Sequence, residues 1–95
     1  MLNITLRAYG SLKDVFKIGV LQISTRATNV REFISFLSED SDSALKEKLI
    51  DEKTGELRDS FRILINGRDI AFLQKLDSKI QDGDEIVFFP PVSGG

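Results

Sequence analysis

The sequence predicts one α+β domain, a small mixed sheet packed on one main helix. Three observations carry that expectation. Apolar and polar residues alternate with period two near both ends of the chain, as in half-buried strands. Between Val30 and Leu37 the apolar period lengthens to that of a helix. Asn66-Gly67 then marks a tight turn between two short extended segments. At 95 residues the chain makes one small domain, able to bury roughly 60–65% of its unfolded surface.

In the first segment Leu2, Ile4, Leu6 and Ala8 face one way and Asn3, Thr5 and Arg7 the other, until Tyr9-Gly10-Ser11 breaks the strand. Val20 to Ser24 is a second strand, with Leu21 and Ile23 inward. It pairs antiparallel with the first across a connection too long for a tight hairpin. Asn29 is a helix N-cap, and Glu32 three residues later completes a capping-box-like pair. Val30, Phe33, Ile34 and Leu37 recur at i, i+3, i+4 and i+7 and form one apolar face for the sheet. Phe36 widens that stripe and reads as core.

Residues 39–60 are the most polar stretch and read as a solvated loop. They are interrupted by a short helix carrying Ala44, Leu45, Leu49 and Ile50, and by a turn at Thr54-Gly55. Alternation returns from Phe61 to Ile65, with Phe61, Ile63 and Ile65 on one face and Arg62 and Leu64 on the other. Asn66 and Gly67 both tolerate positive φ, so they turn the chain into a short return strand at 68–70. Leu73, Leu76 and Ile80 supply further core, and Asp82-Gly83-Asp84 turns into a last strand at Glu85–Phe89. This order matches the ubiquitin-like β-grasp. Its first and last strands would lie parallel at the sheet centre, which suits the apolar density of the final segment. The domain then spans residues 1–89, and residues 90–95 form a flexible, extended C-terminal Gly-Gly tail.

Composition excludes several function classes. A net charge of -2 provides no basic stripe for nucleic acid. No apolar run approaches the ~20 residues that span a bilayer, and Met1-Leu2-Asn3 opens a strand pattern and not a signal peptide. A cytoplasmic protein with no membrane partner is expected, and the sequon Asn3-Ile4-Thr5 is then accidental. The chain has no cysteine and no histidine, which removes thiol nucleophiles, disulfides, histidine bases and the common zinc sites. Neither glycine-rich phosphate fingerprint occurs. Such a chain is poorly equipped to catalyse anything alone, and no bound metal or cofactor is expected.

The functional signal sits in the last six residues, Pro90-Pro91-Val92-Ser93-Gly94-Gly95. Glycine at both final positions removes every side chain from the approach, so a narrow channel in another protein can admit the backbone. The reactive group is then the terminal carboxylate of Gly95. Pro90 cannot donate to a ladder, which stops the last strand at Phe89. The two prolines prolong an extended path, and six residues reach about 20 Å. The alternative is a frayed terminus or a chain cut within a linker. A frayed end has no need of a Pro-Pro stem directly after a core strand.

The outer face of the sheet carries a second signal. With Glu85 towards solvent, Val87 and Phe89 share its parity, and Leu64 points outward likewise. Exposed apolar residues bordered by Arg7 and Arg62 would make a docking patch near the root of the tail. Cross-strand packing alone is the competing explanation.

From Asp82 through Gly95 the chain resembles the small subunit of molybdopterin synthase and the archaeal ubiquitin-like small modifiers. A weaker collinear likeness includes Arg62-Ile63-Leu64-Ile65-Asn66-Gly67-Arg68, and the insert Asp51–Leu57 looks archaeal. Thiamin sulfur carriers are related, but are usually shorter and lack the Pro-Pro-Val stem. The resemblance implies that a ubiquitin-activating-type adenylyltransferase uses ATP to join Gly95 to AMP. A sulfur donor protein then leaves a Gly95 thiocarboxylate. In molybdopterin synthase the large subunit takes in the tail and sulfur passes to a pyranopterin, forming the dithiolene of the molybdenum or tungsten cofactor. The same resemblance leaves open conjugation of Gly95 to target-protein lysines, and sulfur donation to tRNA. A purely structural interaction module is a further alternative.

Overall fold

The first and last strands of the chain meet in the middle of one sheet. A computed structural model describes residues 1–9, 19–40 and 44–89. Its strands are β1 (Leu2–Ala8), β2 (Val20–Thr25), β3 (Arg62–Ile65), β4 (Arg68–Asp69) and β5 (Glu85–Phe89), in the order β2-β1-β5-β3-β4. Among the described strands only β1 and β5 run parallel, with Thr5 opposite Glu85 and Ala8 opposite Phe88. The other three pairings are antiparallel. Helices α1 (Val30–Asp40) and α2 (Ala44–Leu49) and two 3-10 turns, Ile70–Phe72 and Lys75–Asp77, complete the described elements. This is the ubiquitin-like β-grasp.

Alternation explains the core. Ile4, Leu6, Ile63, Ile86 and Phe88 turn one face of the sheet towards Val30, Phe33, Ile34 and Leu37 of α1, and all are buried. The rings of Phe33 and Phe88 meet edge to face at 6.5 Å and 67°, a favoured aromatic geometry. The buried polar residues Thr25 and Ser78 are both satisfied. Thr25 Oγ1 accepts from the Ala27 amide at 3.0 Å, and Ser78 Oγ from that of Gln74 at 2.9 Å.

The helix starts where Asn29 predicts. Asn29 Oδ1 accepts from the Glu32 amide at 2.8 Å, and its carbonyl accepts from that of Phe33 at 3.0 Å. Glu32 reaches one residue beyond the expected cap. Its Oε1 accepts from the backbone N–H of Thr28 at 2.8 Å and from the Thr28 hydroxyl at 2.9 Å. The backbone bond first, then the hydroxyl, holds the Glu32 carboxyl below the usual glutamate range.

Five sequence expectations shift. β2 extends one residue, to Thr25, and β3 begins at Arg62, leaving Phe61 half-buried against the core. The return strand is two residues long, because the Asp69 carboxylate accepts from the Ala71 amide at 2.9 Å and converts the chain to a 3-10 turn. That turn buries Ile70 and leaves Leu73, expected in the core, 41% exposed. The polar stretch is more ordered than a solvated loop. Ile50 and Leu57 form a β-bridge around a turn closed by Gly55 N donating to Asp51 O at 2.7 Å, and Arg31 Nη1 donates to Gly55 O at 2.7 Å. The connection at 10–18 and the tail at 90–95 lie outside the described residues.

Phe33→Ala is expected to cost about 3–5 kcal/mol, read from urea unfolding, because it opens a cavity against Phe88. Glu32→Gln should lower stability at neutral pH by removing a carboxylate whose pKa is depressed on folding. That contribution is present above the ordinary glutamate pKa and lost as pH falls through the folded value. The deficit of the variant should therefore shrink between about pH 7 and about pH 3, and equal deficits at both would exclude a role for the charge.

Candidate functional site at the root of the tail

The register of β5 decides where the tail leaves the sheet, and it is clamped at the opposite end. Asn66, at φ 52°, and Gly67, at φ 85°, form the tight turn that joins β3 to β4. Asn66 Nδ2 donates to Asp84 Oδ1 at 2.9 Å, and Asn66 Oδ1 accepts from the Glu85 amide at 2.9 Å. The Asn66 amide in turn donates to Glu85 O at 2.8 Å. Asp82 Oδ1 accepts from the Asn3 amide at 2.7 Å, tying the start of β1 to the same corner.

At the other end β5 finishes with Phe89 opposite Arg62 of β3. The Tyr9 ring stacks on Phe89 at 5.1 Å and 5°. Both remain accessible, 46% and 37% exposed, so the last described residue carries an aromatic platform. Sequence reading treated Tyr9 only as a strand breaker. Its parity with Arg7 places it on the outer face, a signal that was present.

The outer face brings together the residues that parity assigned to it, with one correction. Val87 is expected to be exposed but is buried, at 8%. It stands between Arg7 on β1 and Leu64 on β3, and its position in a central strand leaves it covered from both sides. Leu64 is half-buried, Phe89 is exposed, and Arg62 is exposed without an ion pair among the described residues. Arg7 Nε donates to Glu85 Oε2 at 2.8 Å. That bond and the Glu85 charge raise the guanidinium pKa further, so Arg7 stays cationic at any working pH. Val20, 44% exposed and opposite Arg7, extends the apolar surface to β2 and was missed because its strand was read only for its inward face. Pro90, Pro91, Val92, Ser93, Gly94 and Gly95 lie outside the described residues.

Among the described residues no cluster of acidic side chains could hold a metal ion, and no helix is long and apolar enough to cross a membrane.

A family model described as the ThiS family matches residues 7–95. The chain belongs to the ThiS family. Over 77 residues this ThiS-family protein is 32% identical to a protein of Archaeoglobus fulgidus described as a sulfur carrier, covering 81% of this chain and 85% of that one. It is 37% identical over 51 residues to small archaeal modifier protein 3 of Haloferax volcanii, covering 54% and 53% of the two chains. The solved structure of small archaeal modifier protein 1 from Methanosarcina acetivorans superposes with a TM-score of 0.78 at 29% identity, covering 100% of this chain and 98% of that one. The ThiS-family protein is thus a member of the ubiquitin-like sulfur carriers and modifiers.

Phe89→Asp is expected to keep the fold, since only the exposed stack on Tyr9 is lost, about 0.5–1.5 kcal/mol. It should weaken a protein docked on this face by about tenfold or more. Titration calorimetry against a protein that binds this face would read the loss, and unchanged affinity would remove Phe89 from the interface.

Proposed function

We propose that this ThiS-family protein carries sulfur on Gly95 as the small subunit of molybdopterin synthase. The observation that carries the reading is the placement of Pro90-Pro91-Val92-Ser93-Gly94-Gly95 directly after a clamped central strand. The likeness to a described sulfur carrier supports it. So does the absence of cysteine, because the sulfur then has no side chain to ride on.

A carboxylate resists nucleophiles because resonance and negative charge oppose attack at carbon. An adenylyltransferase overcomes this when a Gly95 oxygen attacks the α-phosphate of ATP, releasing pyrophosphate and leaving a mixed anhydride with AMP. A hydrosulfide equivalent from the sulfur donor protein then adds to the acyl carbon and expels AMP, so that the terminus becomes a thiocarboxylate. The large subunit of the synthase admits the tail, whose glycines offer no steric obstacle. In each of two successive transfers the thiocarboxylate sulfur bonds to a side-chain carbon of cyclic pyranopterin monophosphate as a C–O bond to that carbon breaks, and cleavage of the acyl–sulfur bond leaves the sulfur on the pterin, so that the pair becomes the dithiolene. Each transfer ends with water restoring the carboxylate. The domain supplies docking and aim, fixing the reacting atom relative to its partner.

A second reading has its own support in the two small archaeal modifier proteins. There a lysine amine of a target protein attacks the same activated carbonyl, expels AMP and forms an isopeptide bond. Both readings, and sulfur donation to tRNA, use one activated intermediate and differ only in the nucleophile or acceptor that follows.

The test is the mass of the C-terminal peptide from native cells. A thiocarboxylate adds about 16 mass units, as does methionine oxidation, so the gain must be localised to the peptide ending at Gly95. A Gly95 remnant on lysines of other proteins would favour the modifier, and an unmodified tail under conditions of active cofactor synthesis would count against both. Deleting Gly95, or adding one residue after it, should abolish sulfur transfer while leaving the urea midpoint unchanged. Retained transfer by either variant would refute the terminal-carboxylate mechanism.

A further inference from the structure

The two edges of the sheet are unlike. β4, at one edge, is two residues long, too short to offer a ladder to another chain. β2, at the other, runs six residues, Val20-Leu21-Gln22-Ile23-Ser24-Thr25. It has no charge and no proline, and its register against β1 continues from Thr25 to Val20 without a bulge. Charges, prolines and bulges are the devices that keep an edge strand from pairing.

The backbone shows which groups of β2 stand open. Ala8 N donates to Gly19 O at 2.9 Å, the next step of the same register. Hydrogen-bonded pairs recur at every second residue of an antiparallel ladder, so Leu21, Ile23 and Thr25 turn their amides and carbonyls towards β1. Val20, Gln22 and Ser24 turn theirs away from the sheet, and no described residue pairs with those groups.

We propose that this edge is a self-association surface, on which β2 of a second copy pairs antiparallel about a twofold axis through Gln22. Only an extended strand meets alternating N–H and C=O groups, and three observations favour the same strand of another copy. Register is the first. With Gln22 opposite Gln22 of the second copy, Val20 meets Ser24 and Ser24 meets Val20, and each of these pairs exchanges two hydrogen bonds. Moving the axis to Leu21 or Ile23 leaves one pair fewer within the strand. Packing is the second. On the helix side, half-buried Leu21 and Ile23 come opposite each other across the axis, and each covers apolar surface open in the single copy.

Closure is the third. The twofold contact uses the same patch on both copies and stops at two. Two five-stranded sheets become one of ten strands, whose outer edges are both the two-residue β4. No charge on β2 opposes the contact, and a net charge of -2 on each copy repels little. Strand pairing alone over about 20 Å buries less than the roughly 1,200 Å² of a stable interface, so the association is weak and reversible. β1 separates β5 from the contact, so Leu64 and Phe89 stay open to a docked protein. The inference stands on the β2 edge and not on the chemistry of Gly95, so its failure would leave the proposed function intact.

The test is sedimentation equilibrium of the full chain from about 20 μM to about 1 mM, the range of weak contacts. The average mass is expected to climb from 10.7 kDa towards twice that value. Gln22→Lys sets two ammonium groups against each other at the axis, and Gln22→Glu two carboxylates. Each alters one exposed side chain and should weaken association about fivefold, with the urea midpoint at the lowest concentration little changed. An equal mixture of the two variants should restore association, because opposite charges then meet. Association that neither variant weakens, or that mixing does not restore, would overturn the proposal. Hydrogen exchange at the lowest concentration separates the other occupants. The amides of Val20, Gln22 and Ser24 should exchange freely there and become protected as the mass rises. Protection in the monomer would mean that the chain covers its own edge, and would overturn the proposal. A constant mass with free exchange throughout would leave the edge to a strand of another protein, and would overturn it equally.

Discussion

The parallel pairing of β1 with β5 is the constraint from which the rest of the molecule follows. It joins residues from opposite ends of the chain, the costliest kind of contact to form because a long loop must close first. The cost is offset by burial on both faces of β5: Ile86 and Phe88 towards α1, Val87 towards Arg7 and Leu64. A strand so placed cannot slip. A shift of one residue would expose Phe88 and drive Glu85 into the core. The place where β5 ends, beside Tyr9 and Arg62, is therefore fixed by the core itself.

This arrangement divides labour in an unusual way. The reacting group in the proposed chemistry is part of the main chain, so the domain has no need of a catalytic side chain and can devote its surface to recognition. Arg7, neutralised in part by Glu85, contributes shape and a covering for Val87 more than free charge. Arg62 has no ion-pair partner among the described residues, so its charge is not offset by a neighbouring carboxylate there. Two arginines on one face, on the strands that flank β5, thus differ in what they offer.

Local patterns were legible and tertiary ones were not. Alternation in β1, β3 and β5, the apolar face of α1 and the Asn29 cap all depend on neighbours within a few residues, and each stands where the sequence places it. Parity put Val87 on the correct face, yet its exposure depends on side chains from two other strands. Leu73 looked like core because the capping of Ala71 by Asp69, which ends β4 early, competes with a strand pattern only in three dimensions. The Ile50–Leu57 bridge was hidden by the charges that surround it. At the site, period assigned Leu64, Phe89, Arg7 and Arg62 to the outer face, where the strand register places them, while residues 90–95, singled out by composition, lie outside the described residues.

The turn at Asn66-Gly67 has a chemical consequence as well as a geometric one. Asparagine before glycine is the dipeptide most prone to cyclise, when the glycine nitrogen attacks the side-chain amide and ammonia departs. Here both atoms of that amide are held, one by the backbone of Glu85 and the other by the carboxylate of Asp84. The side chain is thereby restrained from turning back on Gly67. Deamidation would also set a new carboxylate against Asp84. The folded protein shields this bond from ageing, and a molecule found deamidated at Asn66 carries a record of time spent unfolded.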